Sequence, residues 1–415
     1  MKKQEKGSFK GNLFRREFLK SSAIAGSGMA LGLVGFPNLA KSYNQDIVKI
    51  GIIGTGGRGN WLIKQTQSSP TIKVVACCDI IPERLSTGLS LADENATSYT
   101  DYKKLIEDKN IDAVMIATPL SLHYEMAMAA LENGKHVFCE KTMTHNIEQT
   151  VNLSQKVKES KLVFQMGYQQ RLSPLCHRIY EIISGGYIGD IQHIYASWNR
   201  NGDWRRAVKD PKMEKLVNWR MYKEYSGGLM AELCSHQIDM VNWMLESKPI
   251  KVVGSGGVNY WKDGRETYDN VHTIFDYPNG TKATFTSLTT NSYEAFSVKF
   301  YGTKATLEIH RRDGQRGVIY PEPIKGANDN VDGVSSATKK VYESGEEIPV
   351  VAEFESEDDA IPTSRSLADF AKCIIENKKP QADIVCGHNT AIAVHMGNQA
   401  MRENKTIEWN EKYDI

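Results

Sequence analysis

The sequence predicts an α/β fold in two domains, with a parallel sheet in the first. Three observations carry that expectation. A short β-branched run, Ile47 to Ile53, leads straight into the glycine-rich turn Gly54-Thr55-Gly56-Gly57-Arg58-Gly59. Further apolar runs then alternate with helical stretches as far as Cys139. At 415 residues the chain is long enough for two separate cores.

Composition narrows the partners. Basic and acidic residues nearly cancel, 51 against 50. No block of like charge marks an interaction tail beyond the first residues, so the electrostatic footprint of a nucleic-acid binder is missing. A neutral or weakly charged small molecule is the expected ligand. The seven cysteines are scattered and odd in number, with neither a disulfide framework nor zinc spacing. Buried free thiols and no metal site are expected.

Residues 1–20 are basic and polar, an apolar small-residue stretch runs from about Ser21 to Phe36, and Ala40 offers a cleavage position. That is the order of a signal peptide, here assigned to residues 1–40. The apolar stretch is too short for a membrane span. Arg15-Arg16-Glu17-Phe18-Leu19-Lys20 resembles a twin-arginine signal; an amphipathic N-terminal helix is the alternative. The signal implies recognition by the twin-arginine export machinery and a soluble, folded protein in the periplasm or otherwise outside the cytoplasm.

Residues 46–168 read as a Rossmann domain. Gly54, Gly56 and Gly59 match G-x-G-x-x-G between a strand and a helix starting near Asn60. The first permits a tight turn, the second lets a pyrophosphate approach the backbone, and the third lets helix and strand pack closely. Gly57 and Arg58 complete the turn. A second strand, Lys73 to Cys78, ends at Asp79, whose carboxylate can accept hydrogen bonds from ribose hydroxyls and would repel a 2′-phosphate. NAD is therefore expected over NADP, and the alternative for Asp79 is a turn or cap residue. Helix Tyr102 to Lys109, strand Ala113 to Ala117, helix His123 to Asn133 and strand His136 to Cys139 continue the alternation. Thr118, Pro119, Glu140 and Lys141 then fall at the carboxyl edge of the sheet, where such folds bind ligands. Gln169 and Arg171, after the strand Leu162 to Met166, are placed toward the nicotinamide side, with Arg171 reaching the substrate.

These motifs, with A-T-P-L-S-L-H-Y-E, A-L-E-N-G-K-H-V-F-C-E-K-T and G-G-L-M-A-E-L-C-S-H-Q-I-D-M-V-N-W, resemble the glucose–fructose oxidoreductase / inositol dehydrogenase / MocA (Gfo/Idh/MocA) family from about Val48 to the C-terminus. The resemblance implies a C-terminal α/β domain, 169–415, with a large, mostly antiparallel sheet that covers the substrate and supports homo-oligomers. In keeping with it, Ile191 to Trp198, Ile250 to Tyr260, Asn270 to Phe275, Thr281 to Ser287 and Ser297 to Tyr301 read as strands. Ser366 to Glu376 and His388 to Asn404 read as helices that can pack back on the first domain. Two departures stand out: Thr142 where the family usually has proline after Glu-Lys, and Glu232 where its dehydrogenases commonly carry aspartate. His123 resembles the family's helix-start histidine, counted here among cofactor-binding candidates, with a purely structural role as the alternative.

Alcohol oxidation needs a base for the hydroxyl proton. Lys141, desolvated beside a cationic nicotinamide, would have a lowered pKa, and its family counterpart is a catalytic-site lysine. On a helix from Leu229 to Leu245, Glu232, His236 and Asp239 stand at i, i+4 and i+7 and share a face. The resemblance assigns His236 as acid/base and Glu232 to substrate contact; Asp239 would orient the histidine or cap the site. Trp204, Trp219, Arg220 and Tyr222, in the aromatic- and arginine-rich stretch Trp198 to Tyr222, suit a sugar ring and its hydroxyls. The expected function is an exported oxidoreductase acting on a sugar, polyol or glycoside with tightly bound NAD. An NAD-dependent glycoside hydrolase or lyase working through a transient keto-sugar is the alternative, and a non-catalytic sugar-binding protein the third.

Overall fold

The computed structural model describes residues 47–311, 315–322, 347–351 and 360–415. The twin-arginine string lies outside the described residues. Six strands, β1 (Val48–Ile53), β2 (Ile72–Cys78), β3 (Thr97–Tyr99), β4 (Ala113–Ile116), β5 (His136–Cys139) and β6 (Phe164–Met166), form a sheet in the order 3-2-1-4-5-6. All its neighbours run parallel. The order reverses between β1 and β4, which opens a crevice beyond the carboxyl ends of those strands.

Helices α1 (Gly57–Thr66), α2 (Pro82–Leu91), α3 (Tyr102–Glu107), α4 (His123–Glu132) and α5 (Ile147–Ser160) connect the strands. Local chemistry sets their ends. Pro82 starts α2, and the Asp101 and Asn146 side chains cap α3 and α5 by accepting backbone N–H bonds. α1 begins three residues earlier than the expected Asn60, because the Asn60 N–H already bonds the Gly56 carbonyl at 2.9 Å. Adjacent Cys77 and Cys78 point to opposite faces of the sheet, one with Ile52 and the other with Ile53. All seven cysteines are buried free thiols.

After α6 (Pro174–Ser184), a second sheet is built from β7 (Ile191–Trp198), β8 (Lys251–Gly257), β9 (Asn270–Asp276), β10 (Lys282–Leu288), β11 (Phe296–Gly302), β12 (Ala305–His310), β13 (Arg316–Pro321), β14 (Ile348–Val350) and β15 (Ile407–Glu408). Its order is 14-13-12-11-7-10-9-8-15, antiparallel throughout except for the β7–β10 pair. The five expected strands are present. β12 is not legible as a strand because buried Glu308 and His310 interrupt its apolar pattern; Glu308 accepts the Ser297 hydroxyl at 3.1 Å. β15 is too short to give a pattern.

Between β7 and β8 lies α7 (Ser235–Met244). The chain ends with α8 (Ala360–Glu376) and α9 (Ile384–Glu403). α8 buries Leu367, Phe370 and Ala371 against Ile50, Leu62 and Phe138 of the parallel sheet. α9 adds Ile384, Cys386 and Ala391 to the opposite face, beside Ile116, Cys139 and Met166. Both faces of the first sheet are thereby sealed by residues from the far end of the chain. Among the described residues no helix is long and apolar enough to cross a membrane, and no group of three His, Cys, Asp or Glu could hold a metal ion.

Candidate active site

The glycine turn sits at the switch point. Gly54 takes φ +92°, which only glycine adopts freely. A Cβ on Gly59 would stand 1.9 Å from the Gly54 carbonyl oxygen, so any side chain there forces helix and strand apart. Asp79 fixes the turn from β2: its Oδ2 accepts the Thr55 N–H at 2.9 Å and its Oδ1 accepts the Ile81 N–H at 2.9 Å. Oδ2 also accepts the Thr55 hydroxyl at 3.4 Å; the carboxylate thus has the turn role weighed against ribose binding, while Oδ1 keeps a further acceptor position for a ligand hydroxyl. Arg58, in the first turn of α1, donates from Nε to Glu140 Oε1 at 2.6 Å and ties the helix start to the end of β5. Asn60 Oδ1 and Gln169 Oε1 are buried acceptors with no partner among the described residues. Bare turn, free helix N–H groups and orphaned acceptors together fit a dinucleotide carrying hydroxyl and amide donors.

Past β5, the Lys141–Thr142 peptide is cis. The Lys141 ammonium donates to the Glu232 carbonyl at 2.8 Å and lies 3.9 Å from Glu232 Oε2. Arg220 Nε donates to that same Oε2 at 2.8 Å. Burial lowers the Lys141 pKa, opposed by Glu232 and Glu140 and reinforced by Arg220 and Arg58. Burial works against the Glu232 charge, but Arg220 and Lys141 outweigh it and hold its carboxyl below the ordinary value. His236 is buried, with Tyr168 edge-on at 6.0 Å and Trp198 at 5.5 Å. Burial, then the charges on Lys141, Arg58, Arg311 and Arg200, push its pKa well below the ordinary histidine value. The imidazole is therefore neutral near pH 7. Among the described residues neither of its ring nitrogens has a hydrogen-bond partner.

The expected histidine held by a carboxylate is not what the structure contains. A π-helical turn, Met230–Cys234, precedes α7, and its wider spacing breaks the α-helical register between Glu232 and His236. Asp239 instead receives Arg171, with Nε at 3.0 Å from both oxygens and Nη2 at 2.9 Å from Oδ1, plus the Thr390 hydroxyl at 3.5 Å. Burial opposes the charge on Arg171, but Asp239 more than offsets it and raises the guanidinium pKa. Arg171 and Asp239 thus form a buried brace, not a substrate contact and a histidine support. His123 is likewise a clip: Nδ1 meets the Thr142 carbonyl at 2.9 Å and Nε2 the Thr118 carbonyl at 3.1 Å. With both nitrogens on backbone, no ring nitrogen is left for a cofactor.

The aromatic stretch divides. Arg220 stacks on Trp219 at 4.2 Å while gripping Glu232. Trp219 shares a cleft of about 410 Å³ with Pro119, Leu122, Leu216 and Tyr225, so sheet edge and loop meet there. Tyr222 faces the loop's own interior, donating to Glu214 at 3.2 Å. Trp204 takes left-handed backbone, φ +62°, and among the described residues no hydrogen bond or ring contact ties it to Lys141 or His236. Three neighbours went unassigned in the sequence: Tyr168 and Trp198, which wall His236, and Arg206, which reaches the glycine turn. Only Trp198, at the end of a strand feeding the loop, carried a signal.

A parallel sheet with a glycine turn at its switch point and a buried lysine at its carboxyl edge, faced by a histidine from a second, mostly antiparallel-sheet domain, defines a two-domain nucleotide-binding protein of oxidoreductase type. Two family models match in succession: the NAD-binding Rossmann fold of an oxidoreductase family over residues 48–168 and the GFO/IDH/MocA C-terminal domain over 176–308. The chain belongs to the Gfo/Idh/MocA family. It is 29% identical over 208 residues to an uncharacterized oxidoreductase, YrbE, of Bacillus subtilis, covering 50% of this chain and 56% of that one. It is 28% identical over 202 residues to an inositol 2-dehydrogenase/D-chiro-inositol 3-dehydrogenase of Lactiplantibacillus plantarum, covering 48% and 53%. A 2,7-anhydro-N-acetylneuraminate hydratase of Escherichia coli is 28% identical over 271 residues, covering 64% and 68%. The chain spans little more than half the length of the first curated relatives it matches. The fold is that of a levoglucosan dehydrogenase solved with NADH and levoglucosan, at TM-score 0.71, 18% identity, and coverage of 87% of this chain and 99% of that one.

Proposed function

We propose that this protein binds NAD at the Gly54–Asn60 turn and oxidises a secondary hydroxyl of a sugar, cyclic polyol or glycoside, reversibly. The observation that carries this reading is the buried Lys141 ammonium at the carboxyl edge of the parallel sheet, joined to Glu232 of the other domain. The bound nicotinamide supplies the hydride acceptor. Lys141 in its amine form takes the hydroxyl proton, and the lowered pKa makes that form accessible nearer neutrality than for an exposed lysine. Glu232, fixed by Arg220, holds the lysine in place and neutralises the ammonium formed. Neutral His236, its nitrogens unengaged, hydrogen-bonds the reacting or neighbouring hydroxyl and relays a proton. Gln169 and Asn60 supply acceptors for cofactor donors, and Asp79 favours a free ribose 2′-hydroxyl, hence NAD over NADP. Trp219 and Pro119 give the sugar an apolar face in the adjoining cleft. The basic, glycine-rich leader supports export in folded form with cofactor retained, and the large open sheet supports a homo-oligomer.

A second reading rests on the hydratase relative. A basic amine and a neutral imidazole on one site are also what elimination and water addition on a keto-sugar require, so a redox-neutral glycoside hydrolase or lyase uses the same residues. One experiment separates them. Purified protein is given a panel of sugars and inositols with NAD, and nitrophenyl glycosides without added cofactor. NADH formed in step with sugar oxidised supports the dehydrogenase. Repeated glycoside cleavage with no net NADH replaces it with the second reading, and neither activity on any panel member rejects both.

A further inference from the structure

The outer side of the glycine turn carries a feature that the dehydrogenase reading does not use. At Gly56, a Cβ would find one atom within 4 Å, the Nη1 of Arg84 at 3.9 Å. At Gly57 it would find one, the Nη2 of Arg206 at 4.0 Å. Arg84 comes from α2, but Arg206 comes from the loop after β7, in the other domain. Two guanidinium groups thus converge on the N-terminus of α1 from opposite domains. Neither side chain has an anionic partner among the described residues, and the first turn of α1 contains no acidic residue. Cations at the positive end of a helix repel the dipole and each other. The arrangement makes electrostatic sense with an anion lying between them and the bare backbone.

The Arg206 side chain is exposed, but its backbone is fixed. Its N–H donates to Asn218 Oδ1 at 2.7 Å, and its carbonyl accepts from Asn218 Nδ2 at 2.9 Å. Asn218 is 2% exposed and directly precedes Trp219 and Arg220. One buried asparagine therefore clasps the backbone that carries the arginine at the glycine turn and, through the next two residues, the arginine that grips Glu232.

We propose that Arg206 is a phosphate clamp lent by the substrate domain, a positioning residue that closes over the dinucleotide's pyrophosphate and ties cofactor retention to the loop forming the substrate wall. The proposal rests on the dinucleotide reading above. A guanidinium suits it because its planar fork can hold two phosphate oxygens at once.

Calorimetric titration of the full chain, stripped of co-purifying nucleotide, with NADH, ADP and adenosine tests the clamp. Arg206→Ala is expected to weaken NADH and ADP by roughly ten- to a hundred-fold, the scale of a charged hydrogen bond, and to leave adenosine within about two-fold. Arg206→Lys should recover part of the loss, since it keeps the charge without the fork. Unchanged ADP affinity in Arg206→Ala overturns the clamp and leaves the dinucleotide reading intact. So does an equal loss for adenosine, which would make Arg206 only a structural support of the loop. Wild-type protein that binds none of the three overturns the dinucleotide reading itself, and the clamp with it.

Discussion

The glycine turn and the wall that faces it are built by different rules. Between Ile53 and Asn60, what the chain can bind follows from local backbone: a left-handed Gly54, a Gly59 with no room for a Cβ, and helix N–H groups with no side-chain cap. In the wall, nothing is local. Lys141 meets Glu232 across 91 residues, and Asp239 meets Arg171 across 68. The turn is a rigid receptor that has no room for a side chain at Gly54 or Gly59. The wall is a charge arrangement whose pKa values can be moved by changing one partner. Mutations in the first should act on binding all at once, and those in the second should act on stability and pH dependence separately.

The largest effect is expected at the turn. Gly59→Ala places a methyl 1.9 Å from the Gly54 carbonyl, so NADH binding should be lost outright, read by fluorescence titration, while far-ultraviolet circular dichroism keeps its α/β signature. Retained binding would mean that the turn is not the dinucleotide site. Next comes the buried brace. Burial already raises the Asp239 pKa and Arg171 is the main influence lowering it, so Arg171→Ala leaves a buried carboxyl without its guanidinium partner and should cost up to about 3–5 kcal/mol in a denaturant melt. The double replacement Arg171→Met with Asp239→Leu should recover most of that, because an apolar pair carries no desolvation penalty. If the double variant is as unstable as the single one, the pair does more than brace.

The smallest effect is the most specific. Glu232 raises the Lys141 pKa and Arg220 lowers it. The base form of Lys141 is the one that accepts the hydroxyl proton, so oxidation should rise with pH through that pKa. Glu232→Gln removes the raising influence and should shift the rising limb to lower pH. Arg220→Ala removes a lowering influence and frees Glu232 for the lysine, and should shift the limb to higher pH. Profiles of kcat against pH for both variants check the signs; shifts in the same direction would remove Lys141 from the proton-transfer step.

The same division explains what could be read from the amino-acid sequence. The parallel sheet and its turn were legible because period, glycine spacing and strand-end residues are local signals, and the strands 113–116 and 136–139 fall within the segments their apolar runs mark. Lys141, Glu232 and Arg220 were legible as candidates because a strand end, a helix face and an aromatic- and arginine-rich stretch name them in turn. Their grouping through Glu232 was not, since no local signal sets the distance between residues 141 and 232. The helical spacing that grouped Glu232 with His236 failed because a π turn is invisible to a 3.6-residue period, and Asp239, in regular helix with His236, is claimed by Arg171 from 68 residues upstream. Arg171, Tyr222 and His123 read as ligand contacts because arginine, tyrosine and histidine near a sheet edge are chemically versatile, but each is engaged by a protein partner that only the folded chain supplies. Arg206 lies within the arginine-rich stretch 198–222, but nothing pointed it to the glycine turn, as that target lies about 150 residues upstream.

Lys141 joins the two regions, and one measurement addresses it directly. Lys141→Ala, loaded with NAD and mixed rapidly with a sugar that the wild type oxidises, is followed at the NADH absorbance band through a single turnover. The account predicts NADH affinity close to wild type and a rate of hydride transfer lower by about 10²- to 10⁴-fold, the range of a lost general base. A single-turnover rate equal to that of the wild type would contradict it, and the proton would have to leave by another group.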